Sequence, residues 1–183
     1  MSLLFVRHGE SLWNVENKIC GHTDIPLTEK GYQQAEEAAQ LVLKEEKLPD
    51  IILASPLLRA HETARIISKK TGIPLKTEER LTEQNFGIYE SSPRDSQEFY
   101  LAKMQFLNRF ETGESMMQVS HRIYSLLDEI RNDPDHSYLL VAHNGIARHI
   151  QSYFYPMTNK EFASFGIRNC EILRYNFSEH PQE

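Results

Sequence analysis

Leu3-Leu4-Phe5-Val6 is an apolar run broken at once by Arg7-His8-Gly9-Glu10, the pattern of a short buried strand that delivers its carboxyl end to polar residues. Residues 28–45 then carry Ala35, Ala38, Ala39, Val42 and Leu43 at helical spacing behind Thr28, a favoured N-cap residue. The strand-then-helix unit repeats. Ile51-Ile52-Leu53-Ala54 is strand-like, Ser55-Pro56 turns the chain into a helix carrying Leu58, Ala60, Ala64, Ile66 and Ile67, and Gly72 stops it. A third extended piece spans residues 74–77. An irregular stretch over 81–94 follows, then helices expected at 96–110 and 115–131, the second opened by the capping box Ser115-x-x-Gln118. Tyr138 to Ala142 is apolar throughout, as a central strand covered on both faces is, and it also ends in a polar turn. A helix over 146–153, a capping box at Thr158-x-x-Glu161 and a last strand over 170–175 complete the pattern.

Alternating strands and helices predict an α/β fold, a three-layer sandwich in which a mostly parallel central sheet carries helices on both faces. No linker, internal repeat or low-complexity segment divides residues 1–183, so one domain is expected. Composition narrows the partners. The chain has 20 Lys and Arg against 26 Asp and Glu, a formal charge of −6, which argues against a broad basic surface for nucleic acid or an anionic membrane. An anion site on this chain is expected to be a local pocket. The apolar runs fall far short of the roughly 20 residues a membrane span needs, and Arg7 interrupts the first before a signal-peptide core of about 7 to 15 residues could form. Cys20 and Cys170 share no paired spacing and read as free thiols of a reducing compartment, so a cytoplasmic protein is expected.

Three of the expected strands run into chemistry: Arg7-His8-Gly9-Glu10 after the first, Ser55 to Arg59 after the second, and His143-Asn144-Gly145 after residues 138–142. In an open α/β sheet, ligands gather at the carboxyl ends of the strands, so these distant segments are expected to converge. Two arginines and two histidines would then share one pocket, which suits a phosphate because guanidinium groups bind its oxygens bidentately.

The stretch Leu4 to Asn14, LFVRHGESLWN, resembles the signature of the histidine phosphatase superfamily in its phosphoglycerate mutase-like branch. Further blocks match in the family's order: Gly21-His22-Thr23-Asp24 with Pro26-Leu27-Thr28, Ser55-Pro56-Leu57-Leu58-Arg59-Ala60, Leu81-Thr82-Glu83 with Phe86-Gly87, Gly113-Glu114-Ser115, and Val141-Ala142-His143. The resemblance implies that His8 is a nucleophile taking the phosphoryl group on a ring nitrogen, a task for which a neutral imidazole is suited near pH 7. It implies that Arg7, Arg59 and His143 bind the phosphoryl oxygens, that Glu83 is the proton donor to the leaving oxygen, and that Ser11, Asn14 and Thr23 add phosphate contacts. Glu10 and Glu90 are the next candidate acids. No metal or other cofactor is expected, and His22, His61, His121, His136, His149 and His180 follow no metal-ligand spacing.

Two departures stand out. Asn144 occupies the place directly after the second histidine where the family commonly has glycine, which puts the local anion-binding turn in question and makes Asn144 a candidate substrate contact. Tyr89-Glu90-Ser91 stands where Trp-Glu-Gly is frequent. The substrate-selecting segment is expected over 84–112, as a lid. There Arg94, Lys103 and Arg109 are outweighed by Glu90, Asp95, Glu98, Glu111 and, just beyond, Glu114, unlike mutases of this type, whose arginines and lysines grip a second anionic group. The expected function is therefore hydrolysis of a small phosphorylated metabolite. A 2,3-bisphosphoglycerate-dependent phosphoglycerate mutase is the alternative, and a non-catalytic phospho-ligand-binding module is a second one.

Overall fold

The computed structural model describes residues 2–179, so His180 lies outside the described residues. Five strands form one sheet: β1 (Ser2–Arg7), β2 (Ile51–Ala54), β3 (Leu75–Thr77), β4 (Tyr138–Ala142) and β5 (Ile172–Asn176), in the order β3-β2-β4-β1-β5. All pairings are parallel except β5, which runs antiparallel to β1 along one edge. The helices are α1 (Leu12–Val15), α2 (Glu29–Val42), α3 (Leu58–Thr71), α4 (Gln97–Lys103), α5 (Met116–Arg131), α6 (Asn144–Phe154) and α7 (Asn159–Ser164). Among the described residues, no helix is long and apolar enough to cross a membrane.

Because side chains alternate across a strand, the apolar strands feed two cores. Leu4, Val6, Ile52, Ala54, Leu139 and Val141 meet Ala35, Ala39 and Val42 of α2 and Ala64 and Ile67 of α3 on one face. Leu3, Phe5, Leu53 and Leu140 meet Val119, Ile123 and Leu127 of α5 and Ile146 and Ile150 of α6 on the other. The expected caps form. Thr28 accepts from Gly31 N at the start of α2, and Ser115 with Gln118 and Thr158 with Glu161 close reciprocal boxes at α5 and α7.

The helix expected over 96–110 ends instead at Lys103. Beyond it the Asn108 side chain accepts from Phe110 N, a local bond that competes with helix continuation, and Phe110 and Glu111 take positive φ of 54° and 63°. The turn lets Phe106 pack on Phe162 while Phe110 packs on Phe86 and Tyr89. With Ile19, Phe99, Ala102 and Met116 these rings form a third, smaller core that anchors residues 84–112. The single turn α1 has no counterpart in the hydrophobic pattern, α6 starts two residues before the expected position, and β5 starts at Ile172 because Cys170 has a positive φ of 57°.

Register decides what the sheet presents. Arg7 pairs with Ala142, and Ala54 with Val141, so the chain leaves all three central strands at nearly the same level. His8 N still donates to Ala142 O at 2.9 Å and Ser55 N to Val141 O at 3.0 Å. His8, Ser55 and His143 thereby become neighbours.

Candidate active site

His8 is buried, and its Nδ1 lies 2.7 Å from Gly9 O. A carbonyl oxygen can only accept, so that geometry assigns the proton to Nδ1 and leaves Nε2 with a free lone pair. Burial, then the neighbouring Arg59 and Arg7, hold its pKa well below the usual histidine value, so the ring is neutral near pH 7. His143 is tilted against it, ring centroids 5.2 Å apart, with Nε2 bonded to Ser55 Oγ at 2.8 Å. Burial, then Arg59 and His8, also keep His143 neutral.

Arg59 projects from the first turn of α3 and is 1% exposed. Its Nη1 donates to Thr23 O at 3.0 Å and its Nη2 to Gly21 O at 2.8 Å, which orients the guanidinium beneath the 20–23 loop. That loop is held in turn by Glu90, whose carboxylate accepts from Gly21 N at 3.0 Å, His22 N at 3.1 Å and Thr23 Oγ1 at 2.9 Å. Arg7 donates through Nη1 to Ile167 O, and its buried Nε has no partner among the described residues. Burial, with Arg94 adding to it, lowers its pKa to about 10, still cationic at neutral pH.

Glu83 is 4% exposed and is gripped from two sides: Oε1 accepts from Gln84 N and Oε2 from Gly145 N, each at 2.9 Å. Gly145 is required by this contact, since a Cβ there would lie 2.2 Å from Glu83 Oε1. Asn144 is the first residue of α6, and its Oδ1 accepts from Ile167 N at 2.9 Å. The asparagine side chain thereby ties the 165–169 loop to α6.

A cavity of about 760 Å³, lined by Arg7, His8, Asn14, Glu83 and Asn144, opens beside these groups. Arg59 and His143 are buried next to His8 rather than on its wall. Asn14 Oδ1 accepts from Ser11 N and from Asn169 Nδ2, and Asn169 Nδ2 also donates to His8 O at 2.9 Å. Ser11 and Thr23 do not join the wall: Ser11 is fully buried ahead of α1, and the Thr23 hydroxyl is committed to Glu90. Glu90 is likewise engaged as a clamp, and Glu10 bonds Thr28 Oγ1 and Lys30 Nζ at the start of α2.

The rest of the wall includes Arg94, Tyr100 and Lys103 from the expected substrate-selecting segment, and Arg148 and Arg168, which sequence reasoning did not single out. The acidic balance of residues 84–112 misleads because the acids face elsewhere. Glu90 clamps the 20–23 loop, Glu98 meets Tyr89 Oη at 3.3 Å, and Glu114 pairs with Arg122 at 3.0 Å, while Arg94 and Lys103 face the cavity. Lys103 Nζ donates to Ala163 O at 3.1 Å, and burial, then Arg148 and Arg94, push its pKa down to about 8. Arg148 carried a readable signal, since it lies four residues after Asn144 on the same helix and so on the same face. Among the described residues, no group of three His, Cys, Asp or Glu side chains is placed to hold a metal ion.

A neutral imidazole with one free nitrogen, fixed arginines and an anchored carboxylate at the carboxyl edge of a parallel sheet define a phosphoryl-handling class of α/β protein. The histidine phosphatase superfamily (branch 1) profile matches residues 3–183, and the chain belongs to that superfamily. It is 34% identical over 189 residues to the "Probable phosphoglycerate mutase GpmB" of Yersinia pestis (strain Pestoides F), covering 99% of this chain and 87% of that protein. The structure of mycobacterial glucosyl-3-phosphoglycerate phosphatase in complex with VO3 superposes with a TM-score of 0.83 at 25% identity, covering 98% of this chain and 94% of that one. "Mycobacterial hydrolase 1" does so with a TM-score of 0.83 at 26% identity, covering 94% and 90%.

Proposed function

We propose that this chain is a metal-independent phosphomonoesterase that hydrolyses a small phosphorylated metabolite through a phosphohistidine on His8. The observation that carries the reading is the His8 ring: neutral, with its Nδ1 proton committed to Gly9 O and Nε2 left as the nucleophile. Nε2 bonds to phosphorus as the ester P–O bond breaks, Glu83 passes its proton to the departing oxygen, and the phosphoryl charge is met by Arg7 on the wall, with the Arg59 charge and His143 buried just behind His8. Asn14 and Asn144 lie on the wall within the same cavity. Water then gives a proton to Glu83 and its oxygen to phosphorus, the N–P bond breaks, and phosphate leaves with His8 restored. The fixed arginines supply the charge stabilisation a metal would otherwise give. The solved phosphatase relative supports hydrolysis. Two unpaired cysteines support a reducing compartment, the cytoplasm.

Enzyme quenched with a labelled phosphomonoester is expected to carry an acid-labile, base-stable phosphate that is absent in His8→Ala, and to release inorganic phosphate. Labelling that survives in His8→Ala refutes the assignment. Activity is expected to survive exhaustive EDTA treatment; loss that a divalent metal restores overturns the metal-free account. The mutase reading, favoured by the name of the relative at 34% identity, predicts phosphate returned to a second hydroxyl, so 3-phosphoglycerate isomerisation is followed in parallel.

A further inference from the structure

Residues 167–170 pass the carboxyl end of β1 and are fastened to the site at both ends. Ile167 N donates to Asn144 Oδ1 at 2.9 Å and Ile167 O accepts from Arg7 Nη1, while Cys170 N donates to Arg7 O at 2.9 Å. The chain reverses there. Glu171 N donates to Arg168 O at 3.2 Å, and Cys170, at the third position of that turn, takes its positive φ of 57°, as the corresponding residue of a type II turn does. The turn sets Asn169 beside His8 and Asn14.

Asn169 Nδ2 donates one hydrogen to His8 O at 2.9 Å and the other to Asn14 Oδ1 at 3.1 Å. Backbone groups with a single role fix the orientation of both amides. His8 O can only accept, so the Asn169 atom that faces it is the NH2. Ser11 N can only donate, so the Asn14 atom 3.0 Å from it is the carbonyl oxygen. Asn14 Oδ1 is thereby occupied twice, and the Asn14 NH2, which bonds no other described residue, is the polar end left for the cavity that Asn14 lines. A donor at that place binds a phosphoryl oxygen, whereas an acceptor repels it. The terminal torsion of asparagine is broad, so one bond from Ser11 N leaves the amide free to swing. The second bond, from Asn169, pins it.

We infer that Asn169 is a positioning residue of this site: it locks the Asn14 amide with its NH2 toward the cavity and ties that amide to the backbone of His8, so that the nucleophile and the donor to the phosphoryl oxygen keep one spacing. The inference deepens the proposed phosphoryl-transfer reading and rests on it for turnover, while the locked donor is also a binding property. Asn169 itself lies behind the cavity wall and acts through Asn14.

The test compares Asn169→Ala, Asn14→Ala and the double variant on p-nitrophenyl phosphate and an alkyl phosphate. Asn169→Ala is expected to lower kcat/KM by about tenfold, the scale of one hydrogen bond to a charged group, and alike on both esters because the contact is to the phosphoryl group and not to the leaving oxygen. In the Asn14→Ala background the same substitution is expected to cost less than about twofold. A folding defect alone would lower both backgrounds equally and so counts against the inference. Asn169→Asp keeps the shape and removes both donors, so it is expected to lose at least as much as Asn169→Ala. Orthovanadate binding to wild-type protein and the variants, measured by calorimetry, needs no turnover. Vanadate binding weakened about tenfold in Asn169→Ala, with no ester hydrolysed by wild-type protein, keeps the positioning role and refutes the hydrolase reading. An Asn169→Ala loss that persists in full beside Asn14→Ala, an Asn169→Asp variant as active as wild type, or an unaltered kcat/KM in Asn169→Ala overturns the inference.

Discussion

Gly145→Ala separates the proposed proton donor from the phosphate binders, because it displaces Glu83 without replacing it. The new Cβ would lie 2.2 Å from Glu83 Oε1 and 2.9 Å from its Cδ, so the carboxylate must retreat by more than about 1 Å to reach ordinary contact. A misplacement of that size at a reacting group costs roughly 10²-fold in rate. The loss should depend on the leaving group. An alkoxide needs the proton, so kcat/KM for an alkyl phosphate is expected to fall by about 10²-fold, whereas p-nitrophenolate leaves unaided and its phosphate ester is expected to lose little. Fold stability is expected to hold. Alanine gains about 1 kcal/mol over glycine inside α6, against about 1.5 to 3 kcal/mol for the charge-assisted bond from Gly145 N to Glu83. The net loss of at most about 2 kcal/mol is within the stability of an ordinary domain and lowers Tm by less than about 8 °C. The assay is initial rates on both esters, with phosphoryl transfer to His8 rate-limiting, beside a thermal melt. Glu83→Gln is the comparator, and the double variant should lose no more than either single one. Equal losses on the two esters, or an unaltered alkyl phosphate rate, refute the positioning argument and demote Glu83 from the acid role.

Glu90→Gln slackens the 20–23 loop that orients Arg59, so kcat/KM is expected to fall by about 10-fold or more on both esters alike; a loss confined to the alkyl ester would make Glu90 an acid instead of a clamp. His8, His143 and His149 are buried with pKa values held well below the ordinary 6.5, chiefly by desolvation. The unfolded chain binds those protons and the folded one does not. Stability is therefore level above about pH 6.5 and declines as pH falls below it, by up to about 1.4 kcal/mol per pH unit for each histidine. Chemical denaturation between pH 5 and 8 checks the slope, and a flat profile down to pH 5 refutes the neutral-histidine assignment.

Much of this protein was legible along the chain because the controlling interactions are local. The apolar runs at residues 3–6, 51–54 and 138–142, and the caps at Thr28, Ser115 and Thr158, act within a few residues of themselves, and all appear in the fold. The Arg-His, Leu-Leu-Arg and Ala-His segments at the strand ends could be singled out by the same logic. Strand pairing is not local. Whether His8 and His143 meet depends on Arg7 lying opposite Ala142, a register set by which faces of β1 and β4 find α2 and α3, and which find α5 and α6. The same holds for where a side chain points. Thr23 was expected to contact phosphate and instead bonds Glu90, while Arg94 and Lys103 were scattered among acids that fold away from the cavity. A charge count sums a segment, but an electric field depends on which side of a loop each charge occupies, and that was decided only when Phe99, Phe106 and Phe110 packed against residues distant in sequence.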